Sequence, residues 1–77
     1  MDIETFIENL AGQFDDTPAD QIKPETEFRK LAEWSSLIAL SIIAMADEEY
    51  DVTLKGDDIK GATTVRDLFN TVVAKKG

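Results

Sequence analysis

Residues 34–50 read WSSLIALSIIAMADEEY, from Trp34 to Tyr50. Ser35 and Ser36 are good helix N-caps, and no Gly or Pro interrupts the residues that follow. This is the longest apolar-rich segment of the chain, and it closes in the acids Asp47-Glu48-Glu49. It predicts the central helix of a small bundle, with Ser36 exposed at the electropositive end. On a helical wheel Ala39, Ile43, Ala46 and Tyr50 form one stripe with Ile42 beside it, and that side is expected in the core. Leu37, Ile38, Ser41 and Met45 point elsewhere, so the helix is apolar on more than one side. Such a helix is either buried or presents a face to a partner.

Upstream, Asp2 can cap a first helix, with Glu4 in the first turn where the helix dipole favours an acid. Ile3, Phe6, Ile7, Leu10 and Phe14 follow helical spacing rather than strand alternation. Gly12 weakens that pattern by about 1 kcal/mol relative to Ala, and Asp15-Asp16 is the expected end. Between Asp16 and Glu33 lies a long connection holding both prolines. Thr17-Pro18 reads as a cap and first residue of a single turn reaching Ile22, and Lys23-Pro24 as extended chain. A connection this long needs pins, and Ile22, Phe28 and Leu31 are the apolar candidates.

Downstream, Val52 and Leu54 belong to an extended connector. Gly56-Asp57-Asp58 turns into a short helix from Asp57 to Lys60, with Ile59 inward and Gly61 as breaker. Thr63 or Thr64 then caps a last helix. With Thr64 as cap, Asp67 takes the capping-box position where Glu or Gln is usual. Val65, Leu68, Phe69, Val72 and Val73 supply its stripe. Lys75-Lys76 suit the carboxyl end of the dipole, and Gly77 closes the chain. Nothing repeats internally, and residues 1–77 read as a single domain.

Composition narrows the chemistry. The chain has no Cys and no His, which removes thiolate catalysis, the commonest zinc ligands and any Ser-His-Asp triad. Lys+Arg 8 against Asp+Glu 16 gives a formal net charge of -8. Such a surface repels nucleic acid and anionic lipid and favours partners with basic patches. The acidic start, MDIETFIENL, is unlike a secretory signal, and the apolar run from Leu37 to Ala46 is too short to span a bilayer. These features point to a soluble cytoplasmic protein with no membrane insertion and no enzymatic role, and a monomer is the expectation. Asp15-Asp16 and Asp57-Asp58 lack EF-hand spacing, so no metal site is expected.

A first helix, a long proline-bearing loop, a serine opening an acid-ended helix, a short third helix and a closing helix after Thr-Thr-Val together resemble the acyl carrier protein family. The resemblance covers essentially the whole chain and is strongest in SSL, DEEYDV and ATTV. It implies an all-α four-helix bundle of acyl-carrier type with a short third helix and a long first loop. It also implies covalent 4′-phosphopantetheine, taken from coenzyme A, on Ser36, bearing acyl groups as thioesters, most naturally in fatty acid synthesis. The implied partners are a phosphopantetheinyl transferase and acyl-processing enzymes that dock through basic patches. In the family motif the serine follows an aspartate; Ser35 stands there in this chain. Ile38 and Ser41 replace acids common in the family, whereas Asp47 and Glu48 retain them. The resemblance places docking on Leu37, Ile38, Asp47 and Glu48, with Phe6, Ile7, Phe28, Ile43, Ala46, Ile59, Leu68 and Phe69 as core and acyl-pocket lining.

Several residues keep two readings at this level. Paired serines before an apolar run are, by themselves, helix caps. Leu37 fits either the core or a recognition surface. Trp34 is either an anchor over the helix start or a contact for a partner enzyme. An acidic run is ordinarily a solvated face. Two other functions share the pattern: a specialised carrier for polyketide, aminoacyl or lipid-modification chemistry, and an unmodified acidic interaction module that has lost the arm.

Overall fold

Asp2 starts the first helix: its carboxylate accepts the Thr5 N–H at 2.7 Å, and α1 runs Ile3–Ala11. In the computed structural model, which describes residues 2–76, three more helices follow: α2 (Ser36–Tyr50), α3 (Gly56–Gly61) and α4 (Val65–Lys76). No strand occurs among the described residues. Gly77 lies outside them.

The first helix is shorter than its apolar spacing predicts. Beyond Ala11 the N–H groups of Gln13 and Phe14 bond the carbonyls of Leu10 and Ala11, each at 3.0 Å, which tightens the chain out of the α-helix at Gly12. Phe14 still reaches the core from outside the helix. Asp15 and Asp16 do not end the helix. Their N–H groups bond the Glu33 carboxylate from across the loop, which also accepts the Thr17 hydroxyl at 2.8 Å. Thr17 therefore caps nothing; the single turn is a 3-10 turn at Ala19–Gln21 that begins one residue after Pro18.

The long loop is pinned at both ends. Ile22 and Phe28 are buried, while Leu31 is only half-buried. The Val65 and Arg66 N–H groups bond the carbonyls of Thr26 and Pro24 at 3.0 and 2.8 Å, sewing the loop to the start of α4. Arg29 donates Nε and Nη2 to the Ala62 carbonyl at 3.2 and 3.0 Å. A second 3-10 turn, Phe28–Lys30, delivers Phe28 inward against the edge of Trp34, ring centroids 5.4 Å apart.

The buried face of α2 is Ile42, Met45 and Ala46, set against α1 and α4. Ala39, Ile43 and Tyr50 are half-buried, so the expected core stripe is turned part-way toward the surface and Met45 goes inward instead. With apolar residues on most sides of α2, its own pattern selects no face; the neighbouring helices do. At the far end Asp51 adopts a left-handed backbone, φ 56° and ψ 41°, and the Val52 N–H reaches back to the Ala46 carbonyl at 3.2 Å. A left-handed residue with a Cβ costs roughly 1–2 kcal/mol, least for Gly, Asn and Asp. Asp51→Val is expected to lose about that much stability in urea titration and Asp51→Gly to lose none; an unmoved midpoint for Asp51→Val would contradict the assignment.

The Asp58 carboxylate caps α3 by accepting the Lys55 N–H at 2.9 Å, and it pairs with Lys75 at 3.3 Å. In α4 the Thr64 hydroxyl accepts the Asp67 N–H, while Asp67 accepts the N–H groups of Thr63 and Thr64, each at 3.1 Å. The capping box expected there forms with Asp in place of Glu. Val65, Leu68 and Val72 are buried. Phe69 is half-buried, with its edge on Phe6 at 5.4 Å, and Val73, expected inward, is 42 % exposed because it falls off the side of α4 that meets α1 and α2. Lys76 donates to the Tyr50 carbonyl at 2.8 Å.

These capping bonds set the response to acid. The Thr5 N–H lowers the Asp2 pKa, the Lys55 N–H that of Asp58, and the Thr64 and Thr63 N–H groups that of Asp67. Loss of water pushes Glu33 up, but the Thr17 hydroxyl and the N–H groups of Asp15, Asp16 and Thr17 outweigh it, and the net shift is down. Folded values below unfolded ones mean that the unfolded chain binds more protons, so this stabilisation is complete above the unfolded pKa and fades as pH falls through the folded one. Urea midpoints should fall steadily below about pH 4. Asp67→Asn should flatten that decline; an identical pH profile would contradict the capping role.

Candidate functional site

Ser35 holds the entrance to α2. In extended backbone, its hydroxyl accepts the Ile38 N–H at 3.3 Å and its carbonyl the Ala39 N–H at 3.1 Å. The cap therefore falls on the residue before Ser36, and Ser36 becomes the first helical residue, exposed, with its hydroxyl uncommitted to capping. No acid occupies the first turn of α2. The free first-turn N–H groups and the helix dipole leave that end electropositive.

Beside Ser36 runs a groove of about 460 Å³ between α2 and α3. Ser36, Leu40 and Ile43 share one face of α2 at helical spacing and form one wall together with Ala39; Ile59 and Gly56 of α3 form the other. Trp34 closes the end nearest the serine. Two cations, Arg29 and Lys60, stand on the lining, and no acid does.

The remaining anticipated residues divide by position. Leu37 is 73 % exposed and Leu40 63 %, so Leu37 belongs to the surface and not the core. Ile38 and Trp34 are half-buried; Asp47 and Glu48 are exposed about three turns further along α2. Phe6, Ile7, Phe28, Ala46, Ile59 and Leu68 are buried. Ile43 is brought to the groove, and Phe69 sits at the edge of the core on the α1 side, away from Ser36. The α2–α3 groove was not visible as such in the sequence. Leu40, four residues after Ser36, carried a signal by its spacing. Arg29 and Lys60 carried none, because the loop and α3 meet only in three dimensions.

The model of the phosphopantetheine attachment site family matches residues 5–72. The chain belongs to that family. An acyl carrier protein of Picosynechococcus sp. (strain ATCC 27264 / PCC 7002 / PR-6) is 29% identical over 79 residues, covering 100% of this chain and 98% of that protein. No solved structure matches the chain significantly. The chain is thus an acyl carrier: it carries acyl groups on covalently attached 4′-phosphopantetheine for acyl-processing enzymes and is itself non-catalytic. The four-helix architecture is that of an acyl-carrier bundle. Among the described residues no helix is long and apolar enough to cross a membrane. The donor chemistry beside Ser36 suits such a group: an exposed hydroxyl at a helix start, with two cations and no carboxylate on the adjoining groove, accommodates a phosphodiester.

Proposed function

We propose that Ser36 is the attachment residue and that this carrier serves fatty acid synthesis in the cytoplasm, as a monomer whose residues 1–77 form one domain. One observation carries the assignment of Ser36. Within the family match, Ser36 combines an exposed hydroxyl, the first position of α2 and a groove with no acid on its lining. When bound, the arm supplies the terminal thiol that holds acyl groups as thioesters, chemistry absent from a chain without cysteine. Supporting a long apolar cargo, no polar or charged residue among the described ones is buried in the core. A methylene chain entering it strands no polar group and gains about 0.8 kcal/mol per buried CH2. Incubation with coenzyme A and a permissive phosphopantetheinyl transferase, followed by intact mass, tests the proposal. A gain of one phosphopantetheine is expected.

Partner enzymes are proposed to approach along α2 with basic patches meeting Asp47 and Glu48, while Leu37, Ile38 and Trp34 give the apolar contact. Charges of this kind act mainly on encounter rate. Reversing both acids, Asp47→Lys with Glu48→Lys, should slow modification on the order of tenfold at low salt and much less at high salt. Equal rates at low salt would contradict docking through these acids. The absence of an acid from the first turn of α2 is where this chain departs from the family motif, and it makes Ser36 the residue to be tested. Failure of the mass gain would overturn the assignment of Ser36.

A further inference from the structure

A second hollow, of about 430 Å³, lies between α1 and the long loop, and no residue of α2, α3 or α4 lines it. Its floor is apolar: Ile7 and Ile22 are buried, and Ile3, Ala19 and Pro24 are half-buried. Its rim is acidic. Glu4 and Glu8 stand on one face of α1, about 6 Å apart along the helix axis, and Asp20 stands on the loop side in the 3-10 turn. Lys23 is the one cation on the lining. All four are exposed. Among the described residues the ion pairs join Lys30 to Glu27, Arg66 to Glu25 and Lys75 to Asp58, so none of the four takes part. The loop wall is fixed by its own bonds. The Ile22 N–H bonds the Ala19 carbonyl at 3.1 Å, the Lys23 N–H bonds the Thr26 hydroxyl at 2.8 Å, and the Pro24 carbonyl accepts the Arg66 N–H at 2.8 Å. The hollow is therefore preformed, which limits the ordering cost of filling it.

We propose that this hollow is a second docking surface, separate from α2, for a basic amphipathic helix of a partner protein. That helix places a large apolar side chain over Ile7 and Ile22, with two cations one turn apart against Glu4 and Glu8. Charge and shape select this occupant together. Unpaired carboxylates around an apolar floor suit a segment in which Lys or Arg flanks Leu or Phe, as in helix-in-groove recognition. The same rim repels an anionic lipid surface. A second copy of this chain does not supply the pattern, since none of its 8 Lys and Arg residues stands three or four positions from another. Because no residue of α2 lines the hollow, a partner held there leaves Ser36, Asp47 and Glu48 open. One protein can then retain the carrier while another acts at α2.

The test uses the full chain, isotope-labelled for amide NMR, and a synthetic helical peptide of about 18 residues, long enough to hold a helix. The peptide carries two Lys residues four positions apart beside a Leu on the same face. Resonances of Ile3, Ile7, Ala19 and Ile22 should shift as it is added, while those of Asp47 and Glu48 stay in place. Glu4→Gln with Glu8→Gln should weaken binding about fivefold at low salt, as for two exposed ion pairs. Both positions are exposed, so the bundle should stay folded. Replacing the peptide's Leu by Ser should weaken binding about tenfold. No binding, shifts confined to Asp47 and Glu48, indifference to the double substitution, or equal binding of the Ser peptide would each overturn the proposal. So would shifts of Ile3 and Ala19 on concentrating the chain alone, which mark a second copy, or on adding anionic phospholipid vesicles, which mark a membrane. With the peptide bound, the mass gain from coenzyme A and a transferase should keep its rate; a slower gain would overturn the separation from α2. A chain that gains no mass defeats the Ser36 assignment and leaves the NMR result standing, so the two failures are distinct.

Discussion

Ser36→Ala should abolish modification outright, with no mass gain from coenzyme A and transferase under conditions that convert the wild-type chain completely. The fold should not notice. Ser36 is exposed and its hydroxyl caps nothing, so stability should stay within about 0.5 kcal/mol, as for surface changes away from special features. Ser35→Ala should do the reverse. It removes the hydroxyl that accepts the Ile38 N–H, costing about 0.5–2 kcal/mol of cap energy, yet it leaves a modifiable hydroxyl one residue on. Adjacent serines thus separate into a structural and a chemical role. Full modification of Ser36→Ala would transfer the chemical role elsewhere.

Phe28→Ala should be the most damaging single substitution for stability, at about 3–5 kcal/mol by chemical denaturation. Phe28 is 0 % exposed and supports Trp34 edge-on at 5.4 Å. Its burial also draws the long loop onto the bundle, so its loss both opens a cavity and frees the segment that carries Arg29. A domain of this size has on the order of 4–12 kcal/mol in total, at 0.05–0.15 kcal/mol per residue. The variant should therefore melt well below the wild type and show Trp34 fluorescence shifted toward that of exposed indole. A loss under about 1 kcal/mol would mean that the loop is not anchored there.

Much of this arrangement was legible in the sequence, and the exceptions share a cause. Capping chemistry is local: Asp2, Ser35 and the Thr64–Asp67 box were readable because each acts within three residues. Ile22 and Phe28 were readable as pins because apolar residues in an otherwise polar loop have few other uses. What failed depended on distant partners. Glu33 draws Asp15, Asp16 and Thr17 to itself from the far end of the loop, leaving the next turn without its expected cap. The rotation of α2 was hidden because Ile42, Ile43 and Met45 are all apolar, and only α1 and α4 decide which of them turns inward. Of the stripe read as core, Ala46 and the neighbouring Ile42 stayed buried, while Ala39 and Ile43 joined the wall of the groove beside Ser36. The serine itself was visible as the opening of an uninterrupted helix; the cations facing it come from the loop and α3 and leave no local trace.

The most direct measurement is the intact mass of the protein purified from its native source, with fragmentation to locate any adduct. Phosphopantetheine, with or without an acyl group, is expected on the peptide containing Ser36. Protein recovered wholly unmodified, or modified at another residue, would contradict it.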